Sequence, residues 1–366
     1  MRSTRGFRVG SVRGVPLILT PGWALIGIIL IVIFAPTVSR VLNVGIVPAA
    51  AISAGVPVLL ALSVLLHELA HGLTAQACGV HVREYVLSLW GGHTAFQSEI
   101  RSPGVSALVS VVGPATNAVL AAGFWLAGQA APGGAATLIL YAVAVTNVFV
   151  AAFNALPALP MDGGRLLEAL IWRVNGDRDS GTLVAARVGQ VVAVLVAVGS
   201  LAYSTQTQRW SSGIWGVLIG WTLWRGATST VKMARARRAV RTVDLNAWSM
   251  PVVVLRAHES IAHLAQRVPA GSIALIAESD GRPRAWVDPR AVQSVPASEW
   301  DRTSLSTVAA VLPQEALISA HRGADAVAQL AKAAQAGARY VVLVGLDGHA
   351  LAAVDVIDAG RRLPRR

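Results

Sequence analysis

The stretch from Pro48 to Ala77 is apolar along nearly its whole length, yet it carries His67-Glu68-Leu69-Ala70-His71. This is the feature that most limits what the chain can become. A charged side chain within a membrane-length helix costs about 2.5–3.5 kcal/mol on insertion scales, so it is retained there for a purpose. On a helix, positions i and i+4 share a face, so His67 and His71 can hold one metal ion together. Glu68 lies beside them, within reach of a water at that ion. The pattern H-E-x-x-H is a zinc signature in which the glutamate serves as general base. The blander alternative is two helix-facing histidines and a glutamate snorkelling to a membrane surface.

Composition supports the membrane reading. Of 366 residues, 54% are hydrophobic and only 14% charged, and the mean hydropathy is +0.57. About six segments reach the roughly 20 residues that a bilayer crossing needs. They are Leu17–Val38, Val47–Cys78, Val105–Leu126, Ala136–Leu156, Thr182–Tyr203 and Ile214–Met233. The basic head and apolar body of the N-terminus resemble a signal peptide. No convincing cleavage site follows, so the segment reads as a retained first span.

The net charge of +12 does not point to nucleic acid, because the cations cluster beside apolar spans. Arg2, Arg5, Arg8 and Arg13 precede the first span. Arg83 and Arg101 follow the second, and Arg165, Arg173, Arg178 and Arg187 surround the fourth-to-fifth connection. Lys232, Arg235, Arg237, Arg238 and Arg241 follow the sixth. By the positive-inside rule both termini are cytoplasmic, in a multi-pass protein of the cell membrane. Cys78 is the one cysteine, so an intrachain disulfide is excluded.

Val82–Ile100 is too polar for a span. Its alternation, from Tyr85 through Leu89 and Trp90, predicts a short membrane-associated β-hairpin turning at Gly91-Gly92, with His93 just beyond. After Arg241 the character changes. Residues 1–240 read as the membrane domain and 241–366 as a soluble α/β domain with two similar halves, about 248–294 and 304–363. Asp280-Gly281 and Asp347-Gly348 mark a hairpin turn in each half.

Two histidines leave a catalytic zinc site one protein ligand short. The third is Asp162, in Asn154-Ala155-Leu156-Pro157-Ala158-Leu159-Pro160-Met161-Asp162-Gly163-Gly164. The prolines end the fourth span and the glycines permit close backbone approach. Irregular backbone at membrane depth is tolerated where it lines a cavity.

The HELAH and NALPALPMDGG motifs together resemble the site-2 protease family of intramembrane zinc metalloproteases, over roughly residues 15–235. Gly113-Pro114-Ala115-Thr116-Asn117 resembles that family's third-span motif. The resemblance implies one zinc ion bound by His67, His71 and Asp162, with Glu68 activating water. It implies peptide hydrolysis in or near the transmembrane segment of a single-span substrate, such as an anti-sigma factor or a signal-peptide remnant. Asn117 and Asn154 are candidates to donate to the oxyanion or the substrate backbone, or else to tie spans together by buried hydrogen bonds. The C-terminal halves resemble a pair of CBS domains. That implies a regulatory tail, homodimerisation through it, and an adenine nucleotide as candidate ligand, with Asp358 as its contact. Against that ligand, Asp355 replaces an expected hydroxyl, and Asp288 and Ala291 stand at the corresponding places in the first half. Two readings from other classes stand beside the protease: a transporter or channel with these groups in its ion path, and a catalytically inactive scaffold.

Overall fold

The structure is a computed structural model, and it describes residues 6–88 and 91–363. The expectations placed on Arg2, Arg5, Leu89 and Trp90 lie outside the described residues. The chain divides into two compact units, Met1–Ala234 and Arg235–Arg366.

The first unit opens with strands β1 (Phe7–Val12) and β2 (Val15–Leu19), then helices α1 (Gly22–Leu42), α2 (Ile46–Ser53) and α3 (Gly55–Ala77). Strands β3 (Val82–Ser88) and β4 (Gly91–Phe96) follow. Then come α4 (Pro103–Ala130), α5 (Gly134–Ala155), α6 (Asp162–Asn175), α7 (Arg178–Thr207) and α8 (Trp210–Arg241). Five helical stretches are long and apolar enough to cross a membrane: α1, α2 with α3, α4, α5 and α7. The expected sixth, α8, is a 32-residue helix. It falls short in hydropathy because four tryptophans, several glycines and Arg225 interrupt its aliphatic residues.

The distribution of side chains is inside-out relative to a water-soluble bundle. Val32, Val58, Val119, Val145 and Leu195 are exposed, while Ser63, His67, Glu68, His71, Asn117 and Asn147 are buried. Such a surface suits lipid, and the buried polar side chains named here pair within the protein. Lipid tails are as apolar as leucine, so helices in a bilayer associate by close packing of small residues rather than by the hydrophobic effect. The buried positions of α7 and α8 follow that rule. Gly181, Ala185, Ala186, Gly189 and Ala193 of α7 are buried, as are Gly213, Gly216, Gly220 and Ala227 of α8.

Three expectations need correction. The first span begins at Gly22, not Leu17, because Val15–Leu19 is a strand. The two-residue turn Arg13-Gly14, both at positive φ, folds β1 back on β2 with Val12 opposite Val15, the geometry that a tight hairpin requires. The expected lone hairpin is instead half of a four-stranded sheet in the order β1-β2-β3-β4, with β2 and β3 parallel. Finally, Ser88 pairs with Gly91 and Leu87 with Gly92, so Gly91-Gly92 open the return strand and do not form the turn. The sheet lies against α3. Val15, Tyr85 and Val82 pack with Ala75 and with Val109 of α4, while Leu87 packs with Leu60, Val64 and Trp23.

In the second unit, β5 (Val252–Arg256), α9 (Ile261–Arg267), β6 (Ile273–Ala277), β7 (Pro283–Val287) and α10 (Pro289–Gln293) form one half. After β8 (Ala309–Val311), the other half comprises β9 (Leu317–Ile318), α11 (Gly323–Gln335), β10 (Tyr340–Val344), β11 (Ala350–Asp355) and α12 (Val356–Arg362). Both halves run strand, helix, strand, strand, helix. In each, the first strand is parallel to the second, and the third returns antiparallel. Gly281 and Gly348 have φ of +79° and +83° in the two return turns. Leu275 of the first half is buried with Val341, Leu343 and Val354 of the second. Trp286 meets Tyr340 edge-on at 4.9 Å.

Candidate metal centre

Helix α3 presents His67 and His71 on one face, as i,i+4 spacing dictates, and both are buried. The imidazole planes stand nearly perpendicular, at 82°. Asp162 arrives from the first turn of α6. The Leu156–Met161 segment that carries it there is pinned to α7, where the Leu159 N–H donates to the Ala185 carbonyl at 3.3 Å. Gly163 and Gly164 lie where a Cβ would strike the backbone of residues 155–156 and 158–159, so the close approach expected of them is real.

The donor atoms form a nearly regular triangle. His67 Nε2 and His71 Nε2 are 3.1 Å apart, and each lies 3.2 Å from Asp162 Oδ2. Four ligands at zinc's usual ~2.0–2.1 Å stand about 3.3 Å from one another in a tetrahedron, so the triangle has the size of three of its corners. Its chemistry fits as well. The Nδ1–H of His71 donates to the Val109 carbonyl at 2.6 Å, which leaves a lone pair on Nε2. His67 faces Asn117 through Nδ1 at 2.5 Å. Metal-binding histidines characteristically donate their other ring N–H in this way. His67, His71 and Asp162 are the one group of this kind found among the described residues.

Glu68 is buried beside this triangle. The Thr94 hydroxyl contacts its Oε2 at 2.7 Å and its main-chain carbonyl at 3.0 Å, so one strand residue fixes the carboxylate. Strand β4 passes over Glu68 so closely that a Cβ at Gly92 would lie 2.5 Å from Glu68 Oε1. Gly92 therefore belongs to the site, which is why it is not in the turn. Tyr85, the partner of Thr94 across the sheet, wedges against Gly72. Burial pushes its phenol up in pKa, so it packs there as a neutral ring.

The remaining candidates are placed differently. Asn117 is fully buried, and its two amide ends face His67 and Asn147. In this structure it ties His67 to Asn147. Asn154 turns its N–H back to the Val150 carbonyl on its own helix at 3.1 Å. His93 neighbours Thr94 on β4 and is exposed, and alternation along a strand points it away from Glu68. Cys78 is exposed at the end of α3. In the second unit, Asp358 pairs with Arg362 at 2.7 Å. Asp355 caps α12 and pairs with Arg339 at 2.8 Å, and Asp288 caps α10.

Sequence reasoning missed Thr94, Asn147 and Ser63. Asn147 carried a signal, since it is a strongly polar residue in the middle of an apolar span. Ser63 lies one turn before His67 on the same face. Thr94 carried none, because a threonine in a short strand is unremarkable.

Comparison with known proteins shows the family. The profile of peptidase family M50 matches residues 56–133 and 127–197. A Synechocystis sp. protein assigned as a zinc metalloprotease is 28% identical over 341 residues, covering 88% of this chain and 86% of its own. Rip3 of Mycobacterium tuberculosis, also assigned as a zinc metalloprotease, is 31% identical over 308 residues, covering 80% and 76%. The solved site-2 protease from Methanocaldococcus jannaschii aligns with a TM-score of 0.45 at 23% identity, over 62% of this chain and 94% of that one.

Proposed function

The chain belongs to peptidase family M50, the site-2 protease family of membrane zinc metalloproteases, and from that premise we propose that it cuts single-span membrane proteins within or beside their transmembrane helix, with Glu68 as general base. The observation that carries this reading is the triangle of His67, His71 and Asp162 with the Glu68 carboxylate fixed beside it. His67, His71 and Asp162 would hold one zinc ion. Bound there, zinc supplies Lewis acidity, acidifying a water and polarising the scissile carbonyl.

The protein's own groups do the rest. The Glu68 carboxylate takes a proton from water as the water's oxygen bonds to the carbonyl carbon. It then returns that proton to the amide nitrogen as the C–N bond breaks. Thr94 keeps the carboxylate aimed. A helical substrate shields its carbonyls, so it must unwind to react. Strand β4 lies at the edge of its sheet and runs over Glu68, so it offers an unpaired backbone to an unwound segment by strand addition. Anti-sigma factors and signal-peptide remnants are the candidate substrates. The second unit is proposed as a CBS-pair regulatory domain at a cytoplasmic C-terminus, with the N-terminus on the same side, which requires α8 to serve as a sixth crossing. Homodimerisation through it and adenine-nucleotide binding near Asp358 are its candidate functions. ATP titrated into the full chain should give saturable heat, which Asp358→Ala lowers.

The decisive experiment uses the purified full chain with a single-span substrate in detergent or proteoliposomes. Cleavage should stop when zinc is chelated and return on adding zinc alone. Cleavage that persists after complete metal removal would overturn the reading. Asp162→Ala should weaken zinc binding by more than the roughly 10–100-fold that loss of an outer hydrogen-bond partner costs, as read by chelator competition. Thr94→Val should lower kcat about tenfold, the scale of one hydrogen bond to a charged group, while zinc content stays at the wild-type level.

A further inference from the structure

Four buried polar side chains contact one another in series from the metal centre: His67, Asn117, Asn147 and Ser63. We infer that Asn147 is a positioning residue which, acting through Asn117, holds His67 in the tautomer whose Nε2 lone pair faces the metal. The inference rests on the zinc reading above and adds to it a residue two steps from the ion.

The argument is one of direction. A primary amide presents two N–H donors on one end and an acceptor on the other, and an imidazole can carry its proton on either nitrogen. Something must therefore decide which way each faces. At the far end of the line stand two groups that can only accept, the main-chain carbonyls of Val143 and Leu59. Asn147 Nδ2 lies 2.9 Å from the Val143 carbonyl. The Ser63 hydroxyl donates to the Leu59 carbonyl at 3.0 Å, so towards Asn147 it can only accept. Asn147 Nδ2 lies 3.0 Å from that oxygen. Both donors of Asn147 are thereby committed, and its Oδ1 must turn the other way.

The rest follows by elimination. Asn147 Oδ1 meets Asn117 at 2.8 Å, and an acceptor there requires the Nδ2 end of Asn117. The Oδ1 end of Asn117 then faces His67, so His67 Nδ1 carries the proton. In the neutral ring its Nε2 is then left unprotonated, as a metal ligand must be. The chain of donors thus passes a direction set by two backbone carbonyls on α3 and α5 to a ligand on α3. A role limited to tying helices together would need the same hydrogen bonds in either sense. Ligand orientation needs this sense alone. Without Asn147, Asn117 is free to rotate its amide and offer N–H to His67 Nδ1, which favours the proton on Nε2.

The test measures zinc affinity of the full chain in detergent by competition with a chromophoric chelator, alongside thermal unfolding of the zinc-free protein. Asn147→Leu should bind zinc about tenfold more weakly, with Asn147→Ala as a smaller second variant expected to do the same, on the scale typical of outer partners of metal ligands. Asn117→Leu should match or exceed that loss. Gln190→Leu is the control. It removes a different interhelical bond, Gln190 to Thr228 at 3.1 Å, and should alter unfolding while leaving zinc affinity within about twofold. Cobalt-loaded Asn147→Leu should also show an altered visible absorption band. If both Asn147 variants hold zinc as tightly as wild type and differ only in unfolding temperature, the inference is overturned and Asn147 is a helix tie. A wild-type chain that holds no zinc at all would instead sink the proposed function, and this inference with it.

Discussion

Glu68→Gln abolishes measurable cleavage while the protein still carries its zinc. The expected fall in turnover is about 10²–10⁴-fold, the range that a positioned general acid–base supplies. The substitution is chosen for its shape. Gln has the outline of Glu, so it fits beneath Gly92 where a bulkier side chain would strike the strand. Its amide oxygen can still accept from Thr94, as Glu68 Oε2 does at 2.7 Å. What is lost is the capacity to accept a proton from water and pass it on. None of the three metal donors is touched, because the triangle is made by His67, His71 and Asp162 alone. The measurement is single-turnover cleavage of a single-span substrate in proteoliposomes, with zinc quantified in the same preparation. Wild-type rates from a Glu68→Gln protein with normal zinc would refute the base assignment. An unaltered cellular phenotype despite lost cleavage would leave the scaffold reading in its place.

How legible all this was in the sequence depended on whether the cause of a feature was local. The apolar helices were readable because lipid exposure imposes hydropathy residue by residue, and α4, α5 and α7 fall where the apolar runs lie. The triangle of His67, His71 and Asp162 was readable because its two halves are each a compact motif. Strand β2 was not, since Val15–Leu19 is as apolar as the helix that follows it. Only Thr20 and Pro21 separate the two. Gly91-Gly92 misled for a more instructive reason. Paired glycines locally read as a turn, but Gly92 is small because the Glu68 carboxylate lies against it. That contact joins residues 24 apart in sequence, and no local pattern contains it. The same holds for Asn147, whose partners Asn117 and Ser63 come from two other helices.

Gly113→Ala should cost the protein its metal, although it adds a single methyl group and removes nothing. A Cβ built at Gly113 has His71 Nε2, His71 Cε1 and His67 Cε1 as its nearest neighbours, all closer than side-chain atoms tolerate. Helix α4 thus lies flat against the edges of both imidazoles. Neither ring can swing aside without loss, because His71 is tethered to the Val109 carbonyl and His67 to Asn117. Retreat of α4 is opposed by its packing against α3, α5 and α6. The methyl must therefore displace a ligand or widen the triangle, whose 3.1–3.2 Å edges leave little slack around an ion of fixed bond length. Zinc affinity should fall by about 100-fold or more, the upper end of what losing an outer partner of a ligand costs, and cleavage should fall with it. The backbone effect runs in the opposite direction. Alanine favours a helix interior over glycine by about 1 kcal/mol, which offsets part of the roughly 1–3 kcal/mol that crowding the imidazoles costs, so the zinc-free variant should stay folded with only a small loss of stability. A fold largely kept while its metal is lost is a signature that general destabilisation cannot produce. A Gly113→Ala protein that binds zinc as wild type does would mean that α4 does not press on the histidines, and the geometry of the centre would have to be redrawn.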